Sequence, residues 1–141
     1  MKARVVSSLS VDWIEPPAHR GSYSKLLFNP ENCDTRYLDF RVSATRPQGV
    51  IDRHVHREAE NIYYVIRGSG VVELDGERHL VNPGDAVFIP PGVEHALYNT
   101  GFEDLVAVVV AALVLGEAVL PAVLIGGGAI LAGVWLVNRR G

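Results

Sequence analysis

The sequence predicts an all-β domain of barrel or jelly-roll type, followed by a hydrophobic C-terminal helix. Between residues 25 and 110, short runs of Val, Ile, Leu, Tyr and Phe are separated by Gly, Pro, Asn and Asp, with almost no helical periodicity. Many short strands with regular turns are the mark of closed or folded-over antiparallel sheets. Within them, Tyr37-Leu38-Asp39-Phe40-Arg41-Val42 alternates polar and apolar residues at period two, as a half-buried strand does. After residue 110 the character changes. Glu117 is the one charged residue between positions 105 and 137, and residues 118–137 form an uncharged run of 20. As a helix that run spans ~30 Å, the thickness of the bilayer core.

Residues 1–24 read as an irregular arm with one strand: Val5-Val6, then Val11-Asp12-Trp13-Ile14, then Pro16-Pro17 and Gly21. His19 in this arm is expected to be a solvated loop residue. Lys25-Leu26-Leu27-Phe28 and residues 37–42 follow as strands, and Thr45-Arg46-Pro47-Gln48-Gly49 as a turn. Ile62-Tyr63-Tyr64-Val65-Ile66 is the next strand, separated by Gly68-Ser69-Gly70 from Val71-Val72-Glu73-Leu74. Asp75-Gly76 between two strand-like runs is a strong hairpin signal, and Glu77-Arg78-His79-Leu80-Val81 returns. His79 belongs to that hairpin surface. Asn82-Pro83-Gly84-Asp85 turns the chain into Ala86-Val87-Phe88-Ile89; Ala96-Leu97-Tyr98-Asn99 and residues 105–110 complete the set. The expected organisation is an arm (1–24), a barrel (25–110) and a hydrophobic helical tail (111–141).

Composition narrows the function classes. The 141 residues carry a net charge of −3 without any basic run, which argues against nucleic acid as a partner. Cys33 is the only cysteine, so neither an intrachain disulfide framework nor a Cys-rich zinc site is available. It falls in a polar run and reads as an incidental loop thiol. The first thirty residues contain no apolar run of secretory type, and export is not expected.

The chemistry concentrates in His54-Val55-His56-Arg57-Glu58-Ala59-Glu60 and in Pro90-Pro91-Gly92-Val93-Glu94-His95. Histidines at i and i+2 share one face of a strand. With Glu60 and His95 they offer three imidazoles and a carboxylate, a donor set for a divalent first-row ion with positions left open. These stretches resemble the two signature motifs of the cupin family. Gly49, His54, His56, Glu60 and Gly68 follow the first motif; Gly84, Pro90, Gly92, His95 and Asn99 meet every position of the second. The first departs in spacing: Gly49 to His54 is one residue short, and Glu60 to Gly68 one residue long. Asn61 therefore competes with Glu60 for the ligand position, and Glu60 is preferred because a carboxylate is the better hard ligand.

The resemblance covers residues 25–110 and implies a small jelly-roll barrel, a homodimer, and Mn, Fe, Ni or Zn held by His54, His56, Glu60 and His95. It implies a divalent-metal-dependent enzyme acting on a small oxygenated metabolite, of dioxygenase, isomerase or epimerase, or decarboxylase type. The alternatives are a non-catalytic metal or small-molecule sensor and a membrane-attached fusion with a vestigial barrel. No catalytic residue is named by the motifs. Arg41, Arg46 and Tyr64 are candidates for holding an anionic substrate, or are surface charges and a packed aromatic.

The tail has its own resemblance. Leu113-Val114-Leu115-Gly116-Glu117, Leu124-Ile125-Gly126 and Ile130-Leu131-Ala132-Gly133-Val134-Trp135-Leu136 resemble the last helices of drug/metabolite transporter-family proteins. A fragment this short cannot form a transport pathway by itself. The expectation is membrane contact through 118–137 with the barrel cytoplasmic, the alternative being a soluble cytoplasmic protein. Arg139 and Arg140 favour a cytoplasmic C-terminus, and a membrane hairpin with residues 106–116 as its first leg would put both ends on that side.

Overall fold

The computed structural model describes residues 3–113. Those residues form one curled antiparallel sheet of eight strands. The strands are β1 (His19–Phe28), β2 (Leu38–Val55), β3 (Ala59–Arg67), β4 (Gly70–Leu74), β5 (Glu77–Val81), β6 (Ala86–Ile89), β7 (Glu94–Tyr98) and β8 (Leu105–Leu113). Their order is β5-β4-β7-β2-β8-β3-β6, with β1 on the other edge of β2. This is the predicted all-β jelly-roll class.

Strand β2 organises the sheet, and it differs from expectation. The segment read as a turn at residues 45–49 is continuous strand. The first half of β2 pairs with β8 from Leu38 to Thr45, and its second half with β7 from Val50 to Val55. Between the halves, Gln48 takes φ +64°. At Gly49 a Cβ would lie 2.7 Å from the Gly21 carbonyl oxygen and 2.8 Å from that of Arg46. Only glycine allows that approach, so the motif's first residue serves packing. Strand β1 likewise begins at His19, taking in part of the expected arm. The Asp75-Gly76 hairpin forms as predicted, with φ +47° and +86° at its two central residues, the left-handed pair a two-residue turn requires.

The hydrophobic core is made by one face of β2 to β8. Ile51, Val65, Val72, Val81, Leu97 and Leu105 pack together, with Leu74 and Val87 against them. Toward the other end, the interior becomes polar. Ser22 and Ser24 on β1 meet Thr45 and Ser43 on β2 through buried hydroxyl pairs at 2.7 and 2.8 Å, so each buried hydroxyl is satisfied. Cys33 is buried rather than in a loop: it ends the short helix α1 (Pro30–Cys33), whose capping box joins Asn29 and Asn32 reciprocally.

Strand β8 runs to Leu113, three residues beyond the expected barrel end, and lies between β2 and β3. Residues 106–113 are thus an inner sheet strand, which rules them out as the first leg of a membrane hairpin. The run 118–137 and the transporter-like pattern lie outside the described residues, except that Leu113 ends β8. Among the described residues, no helix is long and apolar enough to cross a membrane.

Candidate metal centre

Three of the four expected ligands converge. His54 on β2 is in direct register with His95 on β7, and a bulge interrupts β2 between Ile51 and His54. The bulge matters because side chains alternate along a strand. Ile51 and His54 are three apart, so without the extra residue they would face opposite sides. With it, both line the interior, and His56 follows two residues later. The ligand atoms of His54, His56 and His95 all lie within 4.8 Å of one another. Ring centroids stand 4.2 Å apart for His54 and His95, and 4.9 Å for His54 and His56.

Two of the imidazoles have their tautomer set. His54 Nδ1 lies 2.8 Å from the Asp52 carbonyl oxygen, and His95 Nδ1 lies 3.0 Å from that of Val93. A carbonyl only accepts, so each Nδ1 carries the hydrogen and each Nε2 keeps its lone pair. His95 Nε2 is buried and has no hydrogen-bond partner among the described residues. Burial pushes the His95 pKa down to about 4, against its hydrogen bond to Val93 and with help from His54 and His56. Burial, then His54 and Arg41, lowers that of His56 as well. Both shifts favour neutral His56 and His95, the form in which imidazole ligates.

The fourth position is where sequence and structure part. On β3 the interior face carries Asn61, Tyr63 and Val65, while Glu60 alternates with Ile62, Tyr64 and Ile66 on the other. Asn61 is 3% exposed, and its Nδ2 is the other buried side-chain atom without a partner among the described residues. Asn61 lines the cavity beside the histidines, and Glu60 does not.

That cavity, about 250 Å³, opens against the histidine cluster. His54, His56, Asn61, Arg41, Ser24 and Ser43 supply its polar wall; Ile51, Tyr63, Val109, Ala111, Pro16 and Pro17 supply the rest. His19, expected in solvent, lines it too. Its Nδ1 donates to the Pro17 carbonyl at 2.8 Å, and burial lowers its pKa. Of the three substrate-holding candidates, only Arg41 reaches the cavity. Arg46 stacks over Tyr23 with its guanidinium carbon 4.9 Å from the ring, and Tyr64 is 48% exposed on the outer face. Sequence reasoning missed His19 because its strand pairing with Ile51 is long-range.

The family model described as Cupin domain matches residues 42–111. Protein SchB of Streptomyces halstedii is 31% identical over 100 residues, covering 71% of this chain and 70% of that protein. Polyketide synthase CurC of Streptomyces cyaneus is 31% identical over 104 residues, covering 74% and 66%. An uncharacterized protein of Methanocaldococcus jannaschii is 42% identical over 48 residues; the match takes in 34% of this chain and only 38% of that relative's length. Among solved structures, a predicted oxalate decarboxylase from Thermotoga maritima superposes with a TM-score of 0.71 at 26% identity, covering 79% of this chain and all of that one (100%). The polyketide cyclase RemF of Streptomyces resistomycificus gives 0.69 at 23% identity, covering 79% and 80%, a likeness of fold alone.

Proposed function

The chain belongs to the cupin family, and from that premise we propose that it is a divalent-metal-dependent enzyme acting on a small oxygenated metabolite. The observation that carries this reading is His95 Nε2, buried and without a partner among the described residues, beside two further imidazoles whose nitrogens lie within 4.8 Å. A buried lone pair without a donor costs about 1–3 kcal/mol, which an ion would offset. Two nitrogens each ~2.1 Å from one ion stand at most ~4.2 Å apart, so the cluster needs only small inward shifts. His54, His56 and His95 would hold the ion, with the Asn61 carbonyl oxygen in place of the expected Glu60. Mn, Fe, Ni and Zn all accept such a set. When bound, such an ion supplies a Lewis acid to an oxygen-bearing ligand. The chain's own residues do the rest: the Asp52 and Val93 carbonyls orient two ligands, Ile51, Val109 and Tyr63 exclude water, and Arg41 offers charge. The relatives described as a polyketide synthase and a predicted oxalate decarboxylase support an oxygen-rich substrate, and the second supports the decarboxylase type among the expected reactions.

Elemental analysis of purified protein, followed by turnover on 1,2-diols, keto acids and sugar phosphates, tests the reading. About one ion per chain with turnover supports it. Metal without turnover points to a binding or sensor module, and absence of metal removes the proposal.

Two assembly readings accompany it. Ile62, Tyr64, Ile66 and Phe88, each 44–55% exposed on the outer face of β3 and β6, support pairing of two copies, which light scattering reads directly. Membrane contact through 118–137 rests on that run's uncharged length, and sedimentation of the full chain with membranes through carbonate washing tests it.

A further inference from the structure

The cavity wall carries one permanent charge, the Arg41 guanidinium, and its geometry points to a use. Arg41 lies on β2 with Ser43 and Thr45 on the inward face, while Asp39, two residues back, has the same parity at the mouth. Arg41 Nε donates to Asp39 Oδ1 at 2.9 Å, and Arg41 Nη2 to Asp39 Oδ2 at 2.5 Å. That bidentate pair fixes the plane of the guanidinium. It leaves Nη1, which has no hydrogen-bond acceptor among the described residues, free for a ligand. Both side chains are about three-quarters buried, at 26% and 23% exposure, so the charge is only partly screened.

No carboxylate lines the cavity itself; the one that opposes this charge is Asp39, which pairs with Nε and Nη2 and leaves Nη1 to a ligand. The Asn61 position is the decisive one. A carboxylate there would place a negative charge inside; an amide does not. Beside Arg41 the wall is apolar where Val109 pairs with it on β8, and Ile51, Ala111 and the Pro16-Pro17 pair supply further apolar lining.

We infer that the cavity recognises an organic anion, a carboxylate or enolate on an apolar carbon body. Arg41 anchors its charge, and Asp39 is the positioning residue that aims Arg41. The inference rests on the proposed function in placing this ligand beside the histidine cluster, and it deepens that reading by naming the substrate class.

Benzoate and its neutral isostere benzamide serve as probes. Binding is followed by calorimetry at pH 8, where imidazoles are neutral, on metal-stripped and zinc-loaded protein with zinc content measured beforehand. Wild-type protein is expected to bind benzoate at least tenfold more tightly than benzamide in both states. Arg41→Gln should lose that preference in the metal-stripped state while taking up zinc as wild type does. Asp39→Asn removes the opposing charge along with the aim, so it should change benzoate affinity less than Arg41→Gln does, and Arg41→Lys should restore part of the preference, since it returns charge without the fork. Equal affinity of wild type and Arg41→Gln for benzoate, equal affinity of wild type for the two probes, or no benzoate binding up to millimolar concentration would each overturn the inference. Failure of the metal reading looks different: no zinc is retained, yet the Arg41-dependent preference persists in the stripped protein.

Discussion

Asn61→Asp tests the architecture of the metal centre more sharply than removal of a histidine, because it predicts opposite signs in two states. In the metal-free protein the new carboxyl sits at a position 3% exposed, beside three imidazoles. Keeping it protonated at pH 7 against an ordinary aspartate pKa of about 3.9 costs up to about 4 kcal/mol, at about 1.36 kcal/mol per unit. Arg41 lines the same cavity and offsets part of that, so the figure is a ceiling. At roughly 4 °C per kcal/mol, between the values for 60–100 and 150–250 residues, the metal-free midpoint should fall by up to about 15 °C. In the metal-loaded protein the carboxylate faces a dication. A unit pair at 4 Å attracts by about 4 kcal/mol at an effective dielectric of 20, and the ion carries twice that charge. Apparent affinity should rise by at least tenfold, and the gap between metal-free and metal-loaded melting midpoints should widen. Scanning calorimetry with and without zinc, alongside chelator competition, reads both quantities. Glu60→Gln, altered on the outward face, should leave both near wild type. If Asn61→Asp behaves as wild type while Glu60→Gln loses the ion, the β3 face assignment at the centre is refuted.

Three further outcomes follow from the same structure. His95→Ala should abolish stoichiometric metal binding, and with it the stabilisation of about 2.7 kcal/mol that an ion at a hundred times its Kd confers; elemental analysis and melting with added zinc measure both. The metal-free fold should lose stability as pH falls from about 6.5 toward 4. Burial lowers the folded pKa of His95 to about 4, so the unfolded chain binds more protons in that window; urea titrations at pH 7.5 and 5 should show it, and a slope no smaller in His95→Gln would refute the assignment. Gly68→Ala should destabilise by more than the roughly 1–2 kcal/mol of left-handed strain, since φ there is +76° and the new Cβ would stand 2.5 Å from the Asp104 carbonyl oxygen; denaturant midpoints decide.

Much of the fold was legible because period-two alternation and turn residues are local signals. Asp75-Gly76 and Asn82-Pro83-Gly84-Asp85 turn where the sequence predicts, the latter closed by Asp85 N donating to the Asn82 carbonyl at 3.0 Å. What was not legible depends on partners far along the chain. Residues 45–49 look like a turn, yet they stay in strand because β1 lies alongside and Asn99 clamps the bend. The choice between Glu60 and Asn61 had a local signal after all. Tyr63 and Val65 share parity with Asn61, and counting back from Gly68 by the usual spacing also lands on Asn61. The preference for a carboxylate weighed ligand hardness above strand geometry. Geometry decides which side chain reaches the interior.

The second motif's residues divide between chemistry and mechanics, and the division explains why the whole motif accompanies a single histidine. Asn99 Nδ2 donates to the Thr45 carbonyl at 2.7 Å and to that of Glu103 at 2.8 Å, while its backbone N–H reaches the Gly49 carbonyl at 3.0 Å. Gly92, with φ +86°, donates its N–H to the His56 carbonyl at 2.8 Å. The first of these pins the bend in β2 and the second pins the end of β2 beyond its bulge. Between the two pins, Val50 pairs with Tyr98 and His54 with His95. A one-residue slip of β7 against β2 would turn His95 to the outer face and leave His54 without its neighbour. Asn99 and Gly92 therefore act on the histidine cluster without touching it: they fix the register in which three imidazoles from two strands share one side of the sheet.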